Sequence, residues 1–97
     1  MLCFIVTGRI GRIETLADGS LRIAVGYERE SAGTEWVCCA CLDRALSARL
    51  AASLNVGTAA RLEGQIEPRR REIAGRAVYD VVFVVTRFDR LLHDSLQ

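Results

Sequence analysis

Short stretches of alternating apolar and polar residues, separated by glycines and polar turns, mark this chain as β-rich with one helical interruption. Leu2–Ile10 is rich in β-branched and aromatic residues, and Gly8 with Gly11 predicts a bent or bulged first strand continuing toward Ile13. Asp18-Gly19 is a tight-turn pair. After it Leu21, Ile23, Val25 and Tyr27 alternate with Arg22, Ala24 and Gly26, the period of a half-buried second strand. Glu28–Gly33 is polar and predicts a loop. Thr34–Leu42 reads as a third strand, with Trp36, Cys38, Ala40 and Leu42 on one face and Val37, Cys39 and Cys41 on the other, the second set facing the core.

The period then changes. Leu46, Leu50 and Leu54 recur at i, i+4 and i+8, behind Asp43 as N-cap and ahead of Asn55 and Gly57 as stop signals, which predicts a helix from about Arg44 to Leu54. Thr58–Glu67 returns to a period of two, with Leu62, Gly64 and Ile66 against Arg61, Glu63 and Gln65, and Pro68 is expected to end this fourth strand. Pro68–Gly75 is polar and arginine-rich and predicts a loop. Ala77–Arg87 is apolar at nearly every position, the pattern of a fifth strand covered on both faces. Phe88–Gln97 is left open between a short helical and a frayed end, since Leu91, Leu92 and Leu96 have helical spacing over too short a segment to decide.

Three strands, a helix and two strands is the order of an all-β, five-stranded OB-fold barrel, partly open, with the helix between strands three and four; a small α+β sandwich is the runner-up. Such a barrel presents its second and third strands, with the loops joining strands one to two and four to five, as its ligand surface. Here that surface comprises the Tyr27 and Trp36 region, the Glu14–Gly19 loop and the Pro68–Gly75 loop.

At 97 residues, 51% of them hydrophobic and 26% charged, the chain has the length and balance of one globular domain, residues 1–97. A chain this short buries only about 60–65% of its unfolded surface, which makes self-association an early expectation. The net charge is +1, from 13 basic and 12 acidic residues, so total charge does not argue for a polyanionic partner. Every basic residue is arginine, however, whose planar fork pairs with phosphate and stacks on bases. Cys38, Cys39 and Cys41 crowd together apart from Cys3, which suits reduced thiols better than a disulfide framework. Only Cys3 and His93 are available to complete a zinc set, so no metal and no cofactor are expected. The apolar run Leu2–Val6 is shorter than the roughly 7–15 residues of a secretory core, and Val37–Leu42 and Val81–Val85 fall short of the roughly 20 needed to cross a bilayer. A cytoplasmic protein without membrane contact is the expectation.

Several blocks carry a family resemblance. Phe4-Ile5-Val6-Thr7-Gly8-Arg9-Ile10-Gly11 resembles the opening strand of bacterial single-stranded DNA-binding proteins. Thr34-Glu35-Trp36 is similar to the start of their third strand, and Val56-Gly57 with Leu62-Glu63-Gly64-Gln65-Ile66 to the stretch after their helix. The register holds through Gly75-Arg76 and Tyr79–Val85, so the resemblance spans roughly Leu2–Leu92, in line with the strand order read independently. It implies sequence-tolerant coating of single-stranded DNA by a homodimer or homotetramer, with bases stacked on aromatic rings and phosphates held by basic side chains.

By this resemblance Trp36 takes a stacking position, with Tyr27 as a second aromatic candidate, although alternation sets Tyr27 on the core side. Arg9, Arg12, Arg22 and Arg29 lie on or beside the strands that would line the groove; Arg69, Arg70, Arg71 and Arg76 would form a clamp in the loop between strands four and five. Singly, Arg9, Arg12, Arg22 and Arg29 are equally surface residues paired with Glu14, Glu28 or Glu30, and the clamp is equally a solvated hairpin tip whose charge Glu67 and Glu72 dilute. The chain departs from the family at Leu42, where a phenylalanine is common, and near Arg71, where a tryptophan is common. Stacking is thereby thinned, though a guanidinium also stacks on bases. The sequence closes on Asp94-Ser95-Leu96-Gln97 without the family's acidic tip, which makes an accessory or divergent member, of a mobile element or a primosomal role, the expectation. Replication or recombination proteins remain candidate partners.

The alternative keeps the barrel as a primosomal or protein-interaction module with weak or no DNA binding. Catalysis is not expected: one histidine, no nucleophile–base pair of useful spacing and no phosphate-cradling loop stand in the sequence.

Overall fold

The computed structural model describes residues 1–91. The chain forms β1 (Leu2–Thr15), β2 (Leu21–Arg29), β3 (Gly33–Cys41), α1 (Arg44–Ser53), β4 (Ala59–Ile73) and β5 (Arg76–Arg90). The strands close into a barrel in the order β1-β2-β3-β5-β4. Every pairing is antiparallel except β3 with β5, a short parallel contact of Cys39 with Phe83 and Ala40 with Val84. This is the five-stranded OB-type barrel with its helix between the third and fourth strands, closed where a partly open one was expected. A single closed sheet also sets aside the α+β sandwich.

Inward positions fill the barrel. Ile10, Leu21, Ile23, Val25, Cys39, Cys41, Leu62 and Val85 form the core, with Leu46, Leu50 and Leu54 from the helical segment packed among them. Asp43 caps α1 by accepting the backbone N–H of Leu46 at 2.8 Å, and Ser47 Oγ donates to the carbonyl of Cys41 at 2.9 Å, tying the helix to the end of β3. Each buried leucine contributes about 1.5–3 kcal/mol, so the three-leucine face is what holds the helix in place. The ladder between β1 and β2 shifts between Ile10 and Arg12, the irregularity that Gly11 led us to expect.

The second half of the chain corrects several expectations. Pro68 does not end β4; it pairs with Val81 in the middle of a long β4–β5 hairpin. β1 accompanies β4 only from Ala59 to Ile66, so beyond that point β4 is an edge strand, where a residue without an N–H is tolerated. The Pro68–Gly75 segment is strand up to a two-residue turn, Ala74 (φ 53°) and Gly75 (φ 77°), the left-handed pair of a type I′ hairpin. Nor is β5 covered on both faces: Tyr79 is 74% exposed and Val81 49%, because the hairpin projects past the barrel as an arm with no second layer against it among the described residues. Phe88–Arg90 continues β5 instead of starting a helix; the remainder of that open segment, with His93, lies outside the described residues apart from Leu91. At the other boundaries β1 extends to Thr15, the predicted Glu28–Gly33 loop contracts to 30–32, and β3 stops one residue before Leu42.

Candidate nucleic-acid interface

Alternation on β3 turns Cys39 and Cys41 inward and Trp36 and Cys38 outward. Trp36 is 57% exposed and stands opposite Gly26 of β2. Its six-membered ring covers two glycines. A Cβ on Gly11 would lie closest to Cζ3, 2.6 Å from Cη2 and 3.2 Å from Cε3 of the indole; one on Gly26 would lie 2.9 Å from Cζ3 and 3.0 Å from Cη2. Bare backbone thus supports one side of the ring, and side chains at either position would displace it. Gly11 is also the bulged residue of β1, so the same irregularity that bends the strand brings its backbone under the indole.

Trp36 forms a wall shared by two hollows. One is a groove of about 660 Å³ in which Trp36, Cys38, Ala40 and Arg22 face Arg69, Arg71 and Val82 of the arm. The other, about 520 Å³, is lined by Thr7–Ile10, Gly26–Glu28, Thr34 and Trp36, and so contains Arg9 and Tyr27. Tyr27 is half-buried and also borders a smaller apolar mouth with Phe4, Val37 and Phe83, which places it at the rim between core and surface.

The arginines divide by location and by partner. Arg22 Nη1 and Arg12 Nη2 both donate to Glu14, at 3.3 Å each. Arg69 donates through Nε and Nη2 to the two oxygens of Asp80 at 3.0 Å, and Arg71 Nη2 donates to Asp80 Oδ2 at 2.7 Å. The Arg69 fork holds the Asp80 carboxyl below the usual carboxylate range. Arg9 Nη1 donates to the carbonyl of Gly57 at 3.2 Å. Arg29 pairs with Glu35 at 3.5 Å and Arg70 with Glu72 at 3.4 Å; these two and Arg76, beside the hairpin turn, line neither hollow. Of the expected clamp, then, Arg69 and Arg71 are brought to the Trp36 groove, while Arg70 and Arg76 are not.

Three features escaped the sequence reading. The glycine floor needs the Gly26–Trp36 register, which periodicity within one strand does not supply. Asp80 reaches Arg69 and Arg71 only through the hairpin pairing, where Arg69 is directly opposite it; the signal was the Ala74-Gly75 turn, hidden by reading Pro68 as a strand end. Tyr79, opposite Arg70 on the arm, is an exposed aromatic that an apolar run concealed.

The four cysteines are free. Burial pushes the Cys39 thiol up to about 12 and that of Cys41 upward as well, so neither is a ready nucleophile. Among the described residues no group of three or more His, Cys, Asp or Glu side chains is placed to hold a metal ion, and no helix is long and apolar enough to cross a membrane.

No protein-family model matches the chain, and no curated protein matches its sequence. Solved structures do match. The mitochondrial single-stranded DNA-binding protein Rim1 of S. cerevisiae is similar with a TM-score of 0.74 at 16% identity, over 93% of this chain and 94% of that one. The small single-stranded DNA-binding protein of Streptomyces coelicolor is similar with a TM-score of 0.59 at 17% identity, over 97% of each chain. At these identities what is shared is the fold, along nearly the whole length of both partners.

Proposed function

We propose that the chain binds single-stranded DNA without sequence preference, stacking bases on Trp36 and drawing phosphates to Arg22, Arg69 and Arg71, with Arg9 and Tyr27 extending the track on the other side of the indole. The observation that carries this reading is the exposed Trp36 ring, backed by two glycines and facing arginines across a groove. Every base has a π-face, so a ring held in this way grips any of them for about 1–3 kcal/mol, and guanidinium groups release counterions from the strand. The likeness in fold to two single-stranded DNA-binding proteins supports the same reading. Replication, recombination or maintenance of a mobile element are the settings we propose for it, with no catalytic step.

Self-association as a homodimer or homotetramer is part of the proposal. β1 pairs with β2 only from Arg9 onward, which leaves the Leu2–Gly8 edge of the ladder open on that side among the described residues, with Ile5 67% exposed beside it. Unpaired strand edges are templates for a second chain. A second reading, an interaction module with little DNA affinity, is favoured by the carboxylates that already occupy Arg12, Arg22, Arg69 and Arg71.

Titration with oligo-dT, following the emission of Trp36 at low and moderate salt, separates the two. Strong quenching that weakens steeply as salt rises is expected; neither quenching nor a mobility shift at low salt would move the function to protein contacts.

A further inference from the structure

The groove arginines do not wait empty for a strand. Asp80, with a side chain 30% exposed, accepts from Arg69 Nε and Nη2 and from Arg71 Nη2, all within 3.0 Å. On the facing side, Glu14 bridges Arg22, which lines the groove, and Arg12 beside it. Asp80 therefore takes both donors of the Arg69 fork and one of Arg71, and Glu14 takes one donor each from Arg22 and Arg12, N–H groups that a phosphate would use. Each cluster nonetheless keeps one net positive charge, two guanidinium groups against one carboxylate, so it still attracts an anion.

From this we infer that Asp80 and Glu14 are built-in competitors of the DNA backbone, intramolecular counter-charges that a phosphate must displace from Arg69, Arg71 and Arg22, and that they set the affinity and salt response of the groove. The inference rests on the strand-binding reading above. Its physical content is an exchange. A phosphate entering the groove gains charge-assisted hydrogen bonds from arginine while the carboxylate loses its own and returns to water. Exposed pairs of this kind are individually weak, so the exchange is easily made in both directions. Binding is held below what the same arginines would give if unpaired, and release of the strand is correspondingly eased. The displaced carboxylate regains a counter-cation as the strand sheds its own, so net ion release on binding is smaller than the same arginines would give if unpaired.

The test is an oligo-dT titration of the full chain at several salt concentrations, comparing wild type with Asp80→Asn and Glu14→Gln, which keep the side-chain shape and remove the charge. Each variant is expected to bind about two- to five-fold more tightly at low salt, the range of one exposed ion pair. The plot of log K against log salt should steepen by up to about 0.7, the equivalent of one charge neutralised on a single strand. Unchanged melting temperature and circular dichroism check that the barrel is intact, and Glu14→Gln stands on its own if Asp80→Asn does not fold. Weaker binding by the folded variants would overturn the inference, making the carboxylates supports that aim the arginines. Unchanged binding by the variants, with wild type still binding, would overturn it too and leave the strand-binding reading in place. No binding by any of the three proteins would instead overturn that reading.

Discussion

The barrel face under Trp36 and the β4–β5 arm contribute opposite kinds of precision to one groove. On the barrel face the proposed stacking ring rests on backbone, Gly11 and Gly26, within a closed ladder; on the arm the proposed phosphate contacts are long arginine side chains held by one carboxylate on an edge hairpin. The indole is supported on one side by the backbone of two strands, whereas a guanidinium is held only by a carboxylate that another anion can replace. A binder of single strands needs both. The stacking platform must be ordered beforehand to grip any base, while the phosphate contacts have to adapt to a flexible backbone.

The sharpest separation of the two regions comes from pH. Cys39 lies in the barrel core, and burial raises its thiol from 9.0 to about 12. The unfolded chain loses that proton first as pH rises, so the stability associated with the neutral thiol is intact below about pH 9.0 and lost progressively toward about 12. Melting temperatures between pH 8 and 11 should fall by an amount corresponding to a few kcal/mol, with Cys41 adding to the slope, and Cys39→Ala should flatten the profile by removing one thiol. A flat wild-type profile would mean that the core thiols are not closed off from solvent.

Next in size is the ring itself. Trp36→Ala should lower oligo-dT affinity by about 1–3 kcal/mol per stacked base, measured by fluorescence anisotropy of a labelled strand, with a smaller fall in melting temperature than a core substitution because the ring is 57% exposed. Gly11→Ala sharpens the comparison, since it leaves Trp36 in place but drives a methyl into its ring. We expect a loss of about 0.5–2 kcal/mol in binding, within the range of a partly lost stacking contact, and a shifted tryptophan emission maximum in the free protein. Binding unchanged in Gly11→Ala would show that the floor does not position the indole.

The smallest effect belongs to the arm. Asp80 is held below the ordinary carboxylate range by Arg69, so its ion pairs persist above about pH 4 and are lost only as pH falls through that lowered value. Being an exposed pair it should contribute little to melting temperature, so an acid titration should register first in the Asp80 side-chain signal and only later in unfolding. Simultaneous loss of both would mean that the arm and the barrel form one cooperative unit.

Local pattern read the element order, the Asp43 cap, the leucine face of α1 and the outward turn of Trp36 with some fidelity, because each depends on residues a few positions apart. The misreadings have a common source. Pro68 signals a strand end only if its missing N–H falls inside a ladder, and here β1 has already left that side of β4. Tyr79 and Val81 read as buried because an apolar run carries no information about whether a second layer exists to cover it. The same holds at the candidate site. Which side chains β3 turns outward was legible from a period of two, but that Trp36 lies over Gly11 and Gly26, and that Asp80 holds Arg69 and Arg71, follows from register. Register is a relation between strands that a single strand's pattern leaves free. The chain's own sequence thus determined which faces and segments the elements would have, while barrel closure and hairpin pairing alone decided which residues meet, since those contacts join positions distant in sequence through backbone hydrogen bonds common to every residue except proline.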